Sequence, residues 1–277
     1  MAQSVAEMQS TAPTWVGSPG RDDRREAPAL VIVLLLAGVV GVLVGMVGVG
    51  GVLLPPGLVT LGGISPHAAT ATSTWAFVFT GVVGTLAYSR RGVVPWPMLA
   101  RLAVGLVPAA FLGARANALL PASVVLLALA LLTLLVGLQQ LVGSPRAGTP
   151  RELRGGPLVV IGAAVGFTCA LTGTGGPVLL VPVLLTLGVA PVAAVAVSQA
   201  AQLPIVVPAS VGYLQAGATD VPLGTLLGLL AGAGTVAGAL VAARMHPDRL
   251  RQVVALACTA AGAFLVVRTL AGLLGVG

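Results

Sequence analysis

Gly48-Val49-Gly50-Gly51-Val52-Leu53-Leu54-Pro55 and Gly173-Thr174-Gly175-Gly176-Pro177-Val178-Leu179-Leu180 stand 125 residues apart, and their reading decides the fold. Each interrupts an apolar stretch with glycines. Each is followed by an apolar piece, 52–61 and 177–187, too short to cross a bilayer as a straight helix. Glycine admits left-handed backbone and close approach by a neighbour or ligand. Irregular backbone at membrane depth is tolerated only where protein buries it or a wet cavity receives it, so two matched breaks point to one interior place.

The match extends well beyond the glycines. Residues 48–92 align with 173–217 without a gap and share 14 of 45 positions, against about a tenth expected by chance from so skewed a composition. Gly63 and Pro66 fall on Gly188 and Pro191, Ser73 on Ser198, and Tyr88 and Gly92 on Tyr213 and Gly217. Duplication is the better explanation, and each repeat reads as a long helix, a glycine break, a short apolar piece, a Gly-x-x-Pro turn and three more helices.

Composition names the solvent. Of 277 residues 57% are apolar and 8% charged, whereas a water-soluble domain carries roughly 25% charged residues. The fold class is therefore an all-α polytopic membrane protein. Full spans are expected near 30–49, 66–88, 95–114, 121–142, 157–172, 190–213, 221–243 and 247–274, eight in all, with the two short pieces broken or re-entrant. Residues 1–27 read as a polar, disordered tail, 28–142 as the first membrane repeat, 143–156 as a basic connector and 157–277 as the second repeat. Positive charge comes from arginine alone, 14 residues against seven acids, scattered through connectors as topology signals are and not as a nucleic-acid-tracking stripe. Cys169 and Cys258 lie in apolar segments and read as small buried hydrophobes.

The candidate substrate-binding residues follow from the breaks. Gly48, Gly50 and Gly51, with Thr172, Gly173, Thr174, Gly175 and Gly176, would offer free amide protons and the positive end of a short helix, which suits an anion. Thr72, Ser73 and Thr74 in the first copy, and Ser198, Gln199 and Gln202 in the second, could complete the ligand shell. The competing reading is packing: small residues bring membrane helices close, and Ser or Thr bonds its own helix backbone by default. Gln199 and Gln202 resist that reading because a carboxamide in hydrocarbon needs partners. His67, whose matched position holds Val192, reads as interfacial, and Arg101 and Arg268 as snorkelling to head groups. All seven acids lie in the tail, in connectors or at span ends, so no intramembrane carboxylate is available to carry protons. No catalytic, metal-ligating or cofactor-binding set is found, which argues against an intramembrane enzyme.

The chain resembles the TauE/SafE family of sulfite exporters and sulfur-anion permeases. The resemblance rests on 45–51 leading into a proline-containing short segment, on Gly63-Ile64-Ser65-Pro66-His67-Ala68-Ala69-Thr70-Ala71-Thr72-Ser73, and on the second copies at 173–177 and 188–194. It implies a multi-pass transporter of sulfite, an organosulfonate or another sulfur oxyanion in a bacterial cytoplasmic membrane. Its partners would be the small anion and the lipid bilayer, with no nucleic acid; assembly into a homo-oligomer stays open. A membrane-embedded assembly or accessory protein, whose breaks serve only packing, is the alternative. Paired breaks meeting at a cavity would favour transport, and breaks filled by neighbouring side chains would favour packing. Arginine placement favours inverted repeats, whereas eight full spans with two re-entrant pieces would make them parallel.

Overall fold

The computed structural model describes residues 23–48, 50–142 and 155–242, with 256, 259, 260, 262–264, 266 and 267 beyond them. The connector at 143–154 and most of the expected last span thus lie outside the described residues. Helix α1 runs Asp23–Val47, a 3-10 turn Gly50–Leu53 and helix α2 Leu54–Thr60; α3 is Pro66–Arg90, α4 Trp96–Leu119 and α5 Ala122–Val142. Then follow α6 Gly155–Thr172, α7 Pro177–Thr186, α8 Pro191–Gln215 and α9 Val221–Ala242. The described residues beyond α9 are helical. A β-carbon on Gly262 would collide with Leu134, so this last piece lies against α5.

By length and composition, three helices among the described residues suit a membrane crossing: Trp96–Leu119, Val192–Gln215 and Val221–Gly238. Shorter apolar helices cover Leu30–Met46, Gly50–Thr60, Ala122–Leu135 and Gly156–Thr172. Together with the family match reported below, they make this a membrane protein. Helix α1 begins at Asp23, inside the stretch read as a tail. Arginine and glutamate are good helix formers, and an acid favours the positive end of the helix dipole, so 23–26 extend the apolar helix outward.

Helix bounds and turns recur at the 125-residue spacing. Pro66–Arg90 and Pro191–Gln215 match end for end, and α1 and α6 stop at matching positions, Val47 and Thr172. Three pairs of glycines hold left-handed backbone at the same spacing: Gly48 and Gly173, Gly63 and Gly188, Gly92 and Gly217.

Helix directions follow from close approaches. A β-carbon on Gly84 would lie 3.2 Å from Gln199 Oε1, and one on Gly81 3.1 Å from Leu203, so α3 and α8 run antiparallel. These two helices, matched at the 125-residue spacing, therefore point in opposite directions. Helix α4 lies parallel to α6, with Gly105 against Val159 and Gly113 against Phe167; α9 lies parallel to α1, with Gly41 against Ala231 and Gly45 against Thr235. Each half thus packs its third long helix on the first helix of the other half, backbone to backbone, as small residues permit where lipid supplies no hydrophobic drive between helices.

The short helices explain the inversion. Gly50 packs on Leu43, Gly57 on Leu36 and Gly62 on Val33, so the chain after the first break runs back along α1. Helix α3 starts again in the direction of α1, because both run parallel to α9: Gly228 sits against Ala76 and Phe79, and Gly232 against Phe79 and Val83.

If the glycine seams hold the halves together, Gly41→Ala will destabilise the protein, since its β-carbon would collide with the Ala231 carbonyl. Gly38→Ala meets nothing within 4 Å and is the control. Thermal unfolding in detergent should put the first variant about 1–3 kcal/mol below wild type, as for overpacking. It should leave the second near wild type; equal melting of the two would contradict the seam.

Candidate functional site

The two breaks meet in the interior. A β-carbon on Gly51 would lie 3.0 Å from the Thr174 carbonyl oxygen, and one on Gly48 3.5 Å from Pro177 and 3.7 Å from Gln199 Nε2. One on Gly175 would lie 3.3 Å from Gln202 Nε2, and one on Gly176 2.5 Å from Ile205 Cδ1. Gly175 and Gly176 have φ of 81° and 109°, left-handed backbone that disfavours any side chain. Every candidate residue is buried: Gly48, Gly50, Gly51, Thr72, Ser73, Thr74, Thr172 to Gly176, Ser198, Gln199 and Gln202.

The space between the breaks is filled by Phe77. Its ring is fully buried and lies 3.3 Å from the Gly51 β-position and 2.9 Å from that of Gly175. Sequence reasoning passes over Phe77 because an aromatic residue in an apolar helix looks like ordinary core. Its matched position in the other half is Gln202, which touches the same break.

A helix that stops at depth must have its last carbonyls satisfied. At the end of α6, the Cys169 carbonyl accepts the Thr174 amide at 3.2 Å, the Ala170 carbonyl accepts the Tyr213 hydroxyl, and the Leu171 carbonyl accepts Asn117 Nδ2 at 2.7 Å. At the end of α1, the Val44 carbonyl accepts the Gly48 amide at 2.9 Å and Gln199 Nε2 at 3.0 Å. Asn117 also donates to Thr70 Oγ1 at 3.2 Å, and its Oδ1 lies 3.1 Å from His67 Nδ1. Neither Asn117 nor Tyr213 stands out as a site residue in the sequence reading. Asn117 is nevertheless the chain's sole asparagine and sits in an apolar helix, a signal that could have found it.

The polar candidates separate into two groups. Thr74 donates to the Thr70 carbonyl at 2.8 Å, Thr172 to the Thr168 carbonyl at 2.8 Å, and Thr72 Oγ1 accepts the Asp220 amide at 3.2 Å, so these hydroxyls serve helix and loop backbone. Ser73 Oγ, Ser198 Oγ, Gln199 Oε1 and Gln202 Oε1 are buried with no hydrogen-bond partner among the described residues. Both amides are locked in orientation. Gln199 must turn its nitrogen to the Val44 carbonyl, and Gln202 donates at 2.9 Å to Thr80 Oγ1, whose own proton goes to the Phe77 carbonyl. Unpartnered buried polar atoms cost roughly 1–3 kcal/mol each, and two of these four, on Gln199 and Gln202, belong to side chains beside the breaks.

Beside the first break a cavity of about 450 Å³ opens between α1, α3, α8 and α9, with Gln199 and Gly45 among its lining residues and Arg90 and Arg91 at the end of α3. Arg101 is exposed near the start of α4, in keeping with a head-group role, and Arg268 lies outside the described residues. Cys169 is buried and free, as expected; Cys258 is outside the described residues.

The capping role of Tyr213 can be measured. Tyr213→Phe leaves the Ala170 carbonyl without its donor and should cost about 1–3 kcal/mol in thermal unfolding. Tyr88→Phe, at the half-buried matched position, should cost little. An unchanged melting temperature for Tyr213→Phe would remove the cap from the account.

Comparison with curated proteins and with solved structures found no match. A family model described as Sulfite exporter TauE/SafE matches residues 30–265, and also residues 9–88. The longer match runs from Leu30 in α1 through α9, both breaks included. The chain belongs to the sulfite exporter TauE/SafE family.

Proposed function

We propose that this protein is a secondary transporter, not an enzyme, that exports a small sulfur oxyanion such as sulfite or an organosulfonate across a bacterial cytoplasmic membrane. The observation that carries this reading is the meeting of two glycine breaks in the interior, beside Gln199 and Gln202, whose side-chain oxygens have no partner among the described residues. Substrate sites of secondary transporters built from inverted repeats lie where interrupted helices of the two repeats meet. The 125-residue recurrence of helix bounds and left-handed glycines supports two repeats of five segments each, an odd number that inverts the second.

Orientation follows from arginine. The turn holding Arg90 and Arg91, the start of α6 and the end of α9 share one side, because α6 runs parallel to α4 and α9 parallel to α3. Connector arginines Arg146, Arg151, Arg154, Arg244, Arg249 and Arg251 flank those ends in sequence, while 61–65, 120–121 and 216–220 hold no arginine. By the positive-inside rule the Arg90 side is cytoplasmic.

One observation favours the packing alternative: Phe77 fills the junction of the breaks, as a scaffold without transport activity would require. Flux decides between the two. Wild-type protein in liposomes loaded with sulfite should release it, and Gly51→Leu or Gly176→Leu, inserted equally well, should abolish release. With the inside negative, each negative charge moved outward gains roughly 2.3 kcal/mol per 100 mV. Efflux should therefore quicken under a valinomycin-clamped inside-negative potential and need no pH gradient. Absence of wild-type flux for sulfite and sulfonates alike would favour the scaffold.

A further inference from the structure

The cavity beside the first break is lined by residues whose matches at the 125-residue spacing differ. It is bounded by Gly45 of α1, by Gly84, Tyr88, Arg90 and Arg91 of α3, and by Gln199 of α8, with Val83 and Leu240 among its apolar walls. The residues matched to its lining on the opposite face include several that are deeply buried. Ala170 stands where Gly45 stands, Ala209 where Gly84 stands, and Tyr213, fully buried with its hydroxyl on the Ala170 carbonyl, where Tyr88 stands. Gln215, opposite Arg90 in the correspondence, accepts from Arg115 at 3.4 Å, so that rim carries one cation already engaged with a neutral partner.

At the mouth of the cavity both arginines are exposed, and neither pairs with a carboxylate among the described residues. The Arg91 guanidinium carbon lies 5.7 Å from the Tyr88 ring centroid, a contact that keeps the cation at the mouth without neutralising it. Two guanidinium groups with no carboxylate partner among the described residues, at the rim of a cavity with apolar walls, concentrate anions there, because field lines focus in a low-dielectric cleft. Guanidinium also matches an oxyanion geometrically, with paired N–H donors. Farther in lies Gln199, buried, holding the broken end of α1 through the Val44 carbonyl. An anion that enters this cavity has reached the first break.

We infer that the cavity bounded by Arg90, Arg91, Tyr88 and Gln199 is a loading subsite for a small oxyanion, distinct from the junction of the breaks and open to the cytoplasmic face. The inference rests on the transporter reading for its cargo, but the charge selection of the cavity is a property of the fold and can be measured without transport. Ala87, which also lines the cavity, is small and only half-buried. In a Cys169→Ala, Cys258→Ala background, Ala87→Cys is labelled in open membranes with two membrane-impermeant methanethiosulfonates, one bearing a sulfonate and the other a trimethylammonium group.

The sulfonate reagent should react about tenfold faster, with both rates corrected for their intrinsic reactivity toward free thiol. Adding Arg90→Gln and Arg91→Gln should erase the preference, and Arg90→Lys with Arg91→Lys should keep most of it. In liposomes, the double glutamine variant should raise the half-saturating sulfite concentration for flux from the Arg90 face by about tenfold, with less dependence on ionic strength. Equal labelling rates, or a preference that survives the double glutamine variant, would overturn the subsite. Failure of wild-type flux with the labelling preference intact would count against the transport reading and leave the subsite standing.

Discussion

A peptide carbonyl stranded in hydrocarbon costs several kcal/mol, and two helices of this chain end inside the protein, where other parts of the chain must bond their last carbonyls. The ends of α1 and α6 are held by groups from elsewhere in the sequence: Gln199 on Val44, Tyr213 on Ala170 and Asn117 on Leu171. Two of these three donors come from α8, which makes that helix the common support of both breaks. It also explains why α8 is so thoroughly buried for a membrane helix, with 61% of its apolar window inside the protein.

The two halves share a backbone plan but not a set of side chains. Where the first half has Gly45, Gly84 and Phe77, the second has Ala170, Ala209 and Gln202. A methyl group in place of hydrogen is enough to close a seam between helices, and a carboxamide in place of a phenyl ring makes one side of the junction polar. The inequality lets one arrangement of helices offer an open pocket on one face where the matched residues Ala170, Ala209 and Tyr213 of the other are buried.

Much of this plan is legible in the sequence. The paired glycines mark the breaks because left-handed backbone admits few other residues, and the same logic applies to Gly63 with Gly188 and Gly92 with Gly217. The demand that Gln199 and Gln202 find partners is also readable, since an amide in lipid has no solvent to bond. Their partners are not, because Val44 and Thr80 are remote in sequence and one is a backbone carbonyl. Inversion stays undecided in the sequence for a related reason: hydropathy gives the length of 52–61 and 177–187 but not the direction in which a short apolar piece leaves its break. That direction comes from Leu43, Leu36 and Val33 lying in reverse order along α1. Phe77 escapes notice because an aromatic ring filling a junction and one filling a core have the same sequence signature.

The crossed pairing of α4 with α6 and α9 with α1 has a consequence for biosynthesis. Gly41 and Gly45 stand 190 residues before the positions they are shaped for, Ala231 and Thr235, so the two sides of this seam are synthesised far apart in time. Until α9 is made the groove on α1 has only lipid or an insertion factor against it. Contacts so distant in sequence are slow to form and leave an incomplete chain exposed to misassembly. Helix α1 is accordingly made without its partner for this seam, which closes only once α9 has been made.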